Sequence, residues 1–197
     1  MIAWTNLAIL IFSSMLFLYY YVLSVSPAAL EKIIGARAYR KCGGYRVVAM
    51  VFETITVICY VVYRFHPVSI PLPGRFPWDW RVSALLASLI GIPTMILMFI
   101  GMKDAGSETA FPKREQGLFG GIYRKIRHPQ AAGEVFGWLW IALLLDSPFL
   151  AVFSLLYFPI FLIMCQADEQ DLLIRFGESY ADYMRCTGAY IPKGKQS

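Results

Sequence analysis

Residues 117–133, GLFGGIYRKIRHPQAAG, interrupt a chain that is otherwise largely apolar. Glycines open the stretch, cations follow them, and His128-Pro129 stands directly before a new apolar run. Because proline lacks an N–H and fits the first turn of a helix, Pro129 predicts that a helix starts here. Arg127 and His128 then lie at a helix N-terminus, where backbone N–H groups point outward and attract anions. We therefore interpret the stretch as a binding site for a carboxylate or phosphate.

Five apolar runs flank this stretch. The chain has 197 residues, 58% of them hydrophobic, which exceeds the apolar share of soluble domains. We predict an all-α polytopic membrane protein, one domain over residues 1–197, with about five transmembrane helices. The fourth run is the shortest, and a re-entrant or tilted helix is its alternative. The runs are about Ala3–Val25, Val47–Tyr63, Val82–Gly101, Ala131–Leu145 and Phe149–Cys165.

The basic residues predict the orientation of these helices. Of the 18 Lys and Arg residues, 15 fall in the loops after helices one and three and in the C-terminal tail. Cytoplasmic loops of membrane proteins carry such an excess. We predict an external N-terminus, a cytoplasmic C-terminus and a cytoplasmic ligand site. The net charge of +5 then reflects topology, and we expect no nucleic-acid partner.

The four cysteines give no sign of a disulfide framework or a metal site. Cys42, Cys59, Cys165 and Cys186 form no CxxC pair and show no metal-ligand spacing, so we predict no metal. Asp146-Ser147-Pro148 predicts a tight turn, which makes the fourth and fifth helices an antiparallel hairpin.

The C-terminal region changes from apolar to amphipathic at Asp168. Leu173, Phe176, Tyr180 and Tyr183 fall on one helical face, and Asp168, Asp171, Arg175, Glu178 and Asp182 fall on the other. We predict that Gly177 divides this region into two short helices. Asp168 and Glu169 emerge at the same membrane face as His128. A zwitterionic ligand can bridge them, with its carboxylate toward Arg127 and His128 and its ammonium or ribose hydroxyls toward the acids.

These motifs, in this order, resemble the C-terminal signature of integral-membrane methyltransferases, which include isoprenylcysteine carboxyl methyltransferases and phospholipid methyltransferases. The resemblance covers about residues 112–192. It implies S-adenosylmethionine bound on the cytoplasmic side and a lipophilic acceptor that enters from the bilayer. The motifs are Gly-Ile-Tyr-Arg (121–124), Arg-His-Pro (127–129), Asp-Glu-x-x-Leu (168–172), Phe-Gly-x-x-Tyr (176–180) and Tyr183.

The resemblance also implies which residues hold the cofactor, within a C-terminal binding region of residues 102–197 that follows three N-terminal helices. Tyr123 and nearby aromatic side chains would cover the purine. Ala131 stands where the family commonly has a tyrosine. No Lys or Arg occurs between Arg127 and Arg175, which favours an amine or neutral acceptor over a prenylcysteine carboxylate. The implied cofactor residues are Glu115, Gln116, Gly117, Leu118, Tyr123, Arg127, His128, Pro129, Gln130, Ala131, Asp168 and Glu169.

Two acids stand inside apolar runs. Glu53 is in the second run and Glu134 is in the fourth, and carboxylates within a membrane are costly and usually functional. Glu134 follows His128 by about one and a half turns, so we name it the candidate catalytic residue; a position near the interface is the alternative for both. A nicotinamide-dependent membrane reductase and a non-enzymatic membrane scaffold remain the rival functions. The oligomeric state stays open.

Overall fold

The computed structural model describes residues 1–109, 111–113 and 120–193, and this part of the chain consists of helices joined by turns and loops. Within it, only an isolated bridge between Ile126 and Gly188 has β geometry, so the all-α prediction is confirmed. Short 3₁₀ turns occur at Gly106–Thr109 and Gly121–Arg124. The α-helices are α1 (Ile2–Ser24), α2 (Pro27–Ile34), α3 (Arg37–Phe65), α4 (Trp80–Ala105), α5 (Pro129–Leu144), α6 (Pro148–Ser154), α7 (Tyr157–Phe176) and α8 (Glu178–Cys186).

Four segments of the described chain are long and apolar enough to cross a membrane. They are α1, α3, α4 and the stretch Pro148–Phe176, which contains α6 and α7. Helix α5 has 16 residues, or about 24 Å at 1.5 Å per residue, whereas a hydrocarbon core is about 30 Å thick. Four of the five predicted crossings therefore reach the length of a span. The fourth run, observed as α5, is shorter than a full span.

Helix α1 packs along α3, and α4 packs along α5. Helix α6 packs against α5, and α7 lies against both pairs. Small residues allow α4 and α5 to approach closely. A Cβ on Gly133 of α5 would lie 2.4 Å from the carbonyl oxygen of Thr94, and one on Gly91 of α4 would lie 2.3 Å from the Trp140 ring. The predicted Asp-Ser-Pro turn joins α5 to α6, and the hydroxyl of Ser147 accepts a hydrogen bond from the backbone N–H of Leu150 at 3.3 Å.

The centre of the bundle is an aromatic core. The rings of Trp138 and Tyr157 stack at a centroid distance of 4.2 Å, and Tyr60 lies 5.3 Å from Trp138. Helices α3, α5 and α7 thus contribute to the same cluster. We call the buried residues around these three rings the aromatic core.

Two features differ from the sequence-based expectation. Helix α3 begins at Arg37, ten residues before the predicted Val47, so the basic segment before the apolar run is helical. Asp171, assigned to the polar face of the C-terminal region, is 3% exposed. Its Oδ1 accepts hydrogen bonds from the backbone N–H groups of Ala28 and Ala29 at 2.8 and 3.1 Å. This contact satisfies free donors at the start of α2, and helix periodicity alone does not reveal such a partner. Gly177, with a φ of 56°, separates α7 from α8 as predicted.

Candidate functional site

A cleft opens where seven helices meet. Its lining residues come from the C-terminal ends of α1 and α4, from the N-terminal parts of α2, α3 and α5, and from α7 and α8. The empty space between the lining residues is about 920 Å³, including its opening to solvent. Of the predicted cofactor residues, those that line this cleft are Tyr123, Arg127, His128, Pro129, Gln130, Ala131 and Asp168.

Glu169 binds both of the predicted anion-binding side chains. Its Oε1 accepts a hydrogen bond from Arg127 Nε at 2.7 Å and lies 2.8 Å from His128 Nε2. Arg127 also donates to the carbonyl oxygens of Met184 and Thr187. The side chains of Arg127, His128 and Glu169 are 10%, 7% and 16% exposed. The two cations are thus compensated by the carboxylate of Glu169. The sequence analysis had predicted that the carboxylate of a ligand would bind them.

The C-terminal tail holds this cluster in place. Backbone N–H groups of Arg127 and His128 donate to the carbonyl oxygens of Gly188 and Ala189 at 2.9 and 3.0 Å, beside the Ile126–Gly188 bridge. His128 is the N-cap of α5, and Pro129 occupies its first turn as predicted. The residues after α8 therefore fix the backbone from which Arg127 and His128 project.

His128 is held in its charged form. Burial disfavours the imidazolium, but hydrogen bonds to the side chains of Cys165 and Glu169, together with the charge of Asp168, outweigh this and raise its pKa to about 10. The cluster therefore contains two cations and one carboxylate at neutral pH.

Tyr123 is fixed by hydrogen bonds within the wall of the cleft. It is 5% exposed, its hydroxyl donates to the carbonyl oxygen of Gly101 at 3.3 Å, and Gln130 Nε2 donates to that hydroxyl at 2.8 Å. Burial raises the pKa of Tyr123. These contacts join α4, the 3₁₀ turn and α5, so Tyr123 and Gln130 shape the cleft together.

Arg46 of α3 also lines the cleft, and the sequence analysis missed it. Its Nε donates to Ser24 Oγ at 2.7 Å, its Nη1 donates to the carbonyl oxygen of Thr109 at 2.8 Å, and its guanidinium lies 4.6 Å from the centroid of Tyr21. In sequence order, a basic residue of the cleft was expected between Arg127 and Arg175, where none occurs. Only the packing of α3 against α1 brings Arg46 to this cleft.

Arg46 and Asp168 carry opposite charges and both line the cleft. Each is close enough to influence the other electrostatically, but neither forms an ion pair within 4 Å with any residue that the structure describes. In this respect they differ from Arg127, His128 and Glu169, which pair with one another.

Glu134 lies outside the lining of the cleft. Its side chain hydrogen-bonds that of Glu53, so the two acids singled out in the sequence meet between α5 and α3. Such a bond needs a proton on one of the two carboxyls, because two carboxylates have no donor to share. The predicted segment Glu115, Gln116, Gly117 and Leu118 lies outside the residues that the structure describes.

Comparisons of the chain with protein-family models, with curated proteins and with solved structures gave no match.

Proposed function

We propose that the protein transfers a methyl group from S-adenosylmethionine to a lipophilic acceptor at the cytoplasmic face of a membrane. The observation that carries this proposal is the pair of opposite charges, Arg46 and Asp168, which line one cleft at the start of α5 and form no ion pair within 4 Å among the described residues. The amino-acid part of this cofactor is a zwitterion. Its carboxylate matches a guanidinium, and its ammonium matches a carboxylate.

In this proposal, the residues around Arg46 and Asp168 have different roles. Arg127 and His128 line the cleft and are held by Glu169. Tyr123 and Gln130 fix the end of α4 beside them. Backbone N–H groups at the start of α5 add a positive potential that suits the cofactor carboxylate. These roles differ from those suggested by the sequence, in which Arg127 and His128 themselves contacted the carboxylate of the cofactor.

Methyl transfer requires little acid–base catalysis from the protein. The sulfonium is already activated, so the site must align the nucleophile, the methyl group and the sulfur, and must exclude water. Phe161, Met164 and Val25 line the cleft and supply an apolar wall for this purpose. An acceptor with an acyl or prenyl chain would approach along that wall from the membrane.

The charge of the acceptor needs its own test. A neutral or amine acceptor was favoured because no basic residue follows Arg127 before Arg175, but Arg46 now supplies a guanidinium in the cleft. Methylation assays with phosphatidylethanolamine, a small hydrophobic thiol and a prenylcysteine will decide among the three. Product formation with the amine or the thiol supports the original preference, and product with the prenylcysteine alone refutes it.

Calorimetry in detergent tests the proposed function. S-adenosylhomocysteine should bind, NADPH should not, and both Arg46→Gln and Asp168→Asn should weaken binding at least about tenfold, or 1.4 kcal/mol. Arg81→Gln is the matched control, because Arg81 is exposed at the start of α4, far from the cleft. Binding of NADPH would identify a reductase instead, and binding of neither compound would favour a scaffold.

A further inference from the structure

The junction between α2 and α3 concentrates positive charge on the surface of the protein. Residues 26–46 contain a single acid, Glu31. Four cations of this segment are exposed, and none of them forms an ion pair within 4 Å with a residue that the structure describes. These cations are Lys32, Arg37, Arg40 and Lys41. We call residues 32–41 the basic junction.

Other cations near the cleft are held by the protein itself. Arg127 binds Glu169, and Arg185 pairs with Asp182. Lys193 Nζ donates to two carbonyl oxygens at the end of α8, at 3.0 and 2.8 Å. The cations of the basic junction have no carboxylate partner among the described residues, so their charge faces the surroundings of the protein.

The packing of α3 turns these cations outward. Ala38 and Cys42 are 0% exposed, and the thiol of Cys42 lies 3.3 Å from the carbonyl oxygen of Leu23 at the end of α1. The three cations of α3 are spaced by three and four residues, so they share a different face of the helix. The first turns of α3 thus bury one face against α1 and present a basic one.

The basic junction lies where a membrane surface would meet the protein. Helix α3 has 29 residues, or about 43 Å at 1.5 Å per residue, whereas a hydrocarbon core is about 30 Å thick. The helix begins at Arg37, and its apolar run begins at Val47. Its first turns therefore extend beyond the hydrocarbon core to the depth of the headgroups. Pro27 of α2 and Arg46 of α3 line the cleft, so the junction lies at the same end of the bundle as the cleft.

Helix α2 adds an apolar side chain to this surface. Ile33 is 80% exposed and directly follows Lys32. The other side of α2 is fixed, because Asp171 accepts hydrogen bonds from two backbone N–H groups in its first turn. A short amphipathic helix with cations beside an exposed apolar residue suits the bilayer interface, where the apolar side chain enters the acyl boundary and the cations contact anionic headgroups.

We propose that the basic junction is a binding surface for the headgroups of anionic phospholipids. Four cations directly beside a membrane-spanning helix match the negative charge of such lipids, and Ile33 enters the acyl layer next to them. A zwitterionic phospholipid has no net charge to attract, and a soluble phosphate has no acyl chain for Ile33 to contact. The bound lipids hold α2 and the first turns of α3 at the membrane surface, and with them Pro27 and Arg46 of the cleft wall.

Native mass spectrometry of the whole protein in detergent, titrated with phosphatidylglycerol or with phosphatidylcholine, tests this proposal. Phosphatidylglycerol should bind at least about tenfold more tightly, and its affinity should fall as the ammonium acetate concentration rises, because salt screens exposed charges. Arg37→Gln/Arg40→Gln/Lys41→Gln should remove most of this preference. Ile33→Ser should weaken phosphatidylglycerol binding without a change of charge, and inorganic phosphate should not displace the lipid.

Lys103→Gln/Arg124→Gln/Lys125→Gln is the matched control, because it also removes three exposed cations. These lie near Asp104, whose carboxylate accepts a hydrogen bond from the backbone N–H of Ile122 at 2.7 Å, so the control should leave the lipid preference unchanged. Thermal unfolding shows that each variant is folded.

Three results overturn the proposal: equal affinity for the two lipids, an equal loss in the two triple variants, or displacement of the lipid by inorganic phosphate. S-adenosylhomocysteine binding is measured separately, and none of these substitutions alters a residue of the proposed cofactor site. The lipid-binding proposal and the methyltransferase proposal can therefore each fail alone.

Discussion

The aromatic core and the cleft both contain buried polar groups, but they use them differently. In the core, neutral hydroxyls pair with one another: Ser14 with Tyr157 at 2.8 Å, and Tyr60 with Ser154 at 3.2 Å. In the cleft, Glu169 compensates two cations, while Arg46 and Asp168 face the cavity without an ion pair among the described residues. Neutral pairs hold helices together, whereas the uncompensated charges are suited to a ligand.

The helices of this chain are mostly apolar, so their few buried polar groups can be compared directly. The hydroxyl pairs of the aromatic core join helices, and the charged groups of the cleft line a cavity. Hydroxyl pairs between helices cost little to bury and contribute modestly to their association. Charged groups are expensive to bury unless they are compensated. The one polar atom of the core without a hydrogen-bond partner in the described residues is Trp138 Nε1, and it is neutral. Among the residues that the structure describes, Arg46 and Asp168 thus bring opposite charges without an ion pair within 4 Å to the wall of the cleft.

Glu169→Ala should have the largest effect on stability. It leaves the buried side chains of Arg127 and His128 without their carboxylate, and loss of one partner of a buried pair costs about 3–5 kcal/mol. Thermal unfolding in detergent measures the loss. His128→Ala should cost less, because Arg127 and Glu169 remain paired.

Asp182→Ala is the control for this prediction. Asp182 pairs with Arg185 on α8, and both side chains are more than half exposed, so water and salt screen the interaction. Its removal should leave the melting temperature unchanged. Equal effects of Glu169→Ala and Asp182→Ala would show that the carboxylate of Glu169 is not needed to compensate the cluster.

A change of pH should weaken the same cluster more gradually. The pKa of His128 is raised from 6.5 to about 10, so its charged form stabilises the folded state. This contribution is complete below about pH 6.5 and is lost as the pH rises toward 10. The melting temperature of the wild type minus that of His128→Asn should therefore fall between pH 6.5 and 10. A difference that stays constant over this range would contradict the raised pKa.

Most of the fold could be predicted from hydropathy, because burial in a membrane requires long apolar helices. The starts of α5 and α6 were marked by Pro129 and Pro148, and the break at Gly177 by its glycine. The length of α3 was missed, since its first turns are basic and look like a loop when only hydropathy is considered. Helical propensity of Arg and Lys is high, which is the signal that could have placed this start.

The site was predictable only in part. The segment from Arg127 to Ala131 was found because a proline, a histidine and cations coincide in one short stretch. Arg46 and the pairing of Glu53 with Glu134 were not found, because each depends on contacts between helices that are distant in sequence. The role of Glu169 was also assigned differently, since sequence alone does not show whether a carboxylate contacts a ligand or an arginine.

Tyr157→Phe should have the smallest effect, and it tests the comparison from the side of the aromatic core. It removes the hydrogen bond between Tyr157 and Ser14, while Ser14 Oγ keeps its bond to the carbonyl oxygen of Leu10 at 2.8 Å. A single buried bond of this kind contributes about 1 kcal/mol, or about 2–4 °C in melting temperature for a chain of this size. Tyr19→Phe is the control, because Tyr19 is 58% exposed and its substitution should leave the melting temperature unchanged.

Since Tyr157 lies outside the cleft, Tyr157→Phe should leave the affinity for S-adenosylhomocysteine as it is. A variant that keeps its melting temperature but loses this affinity would show that the polar groups of the core serve the ligand as well, and that the separation between the two regions does not hold.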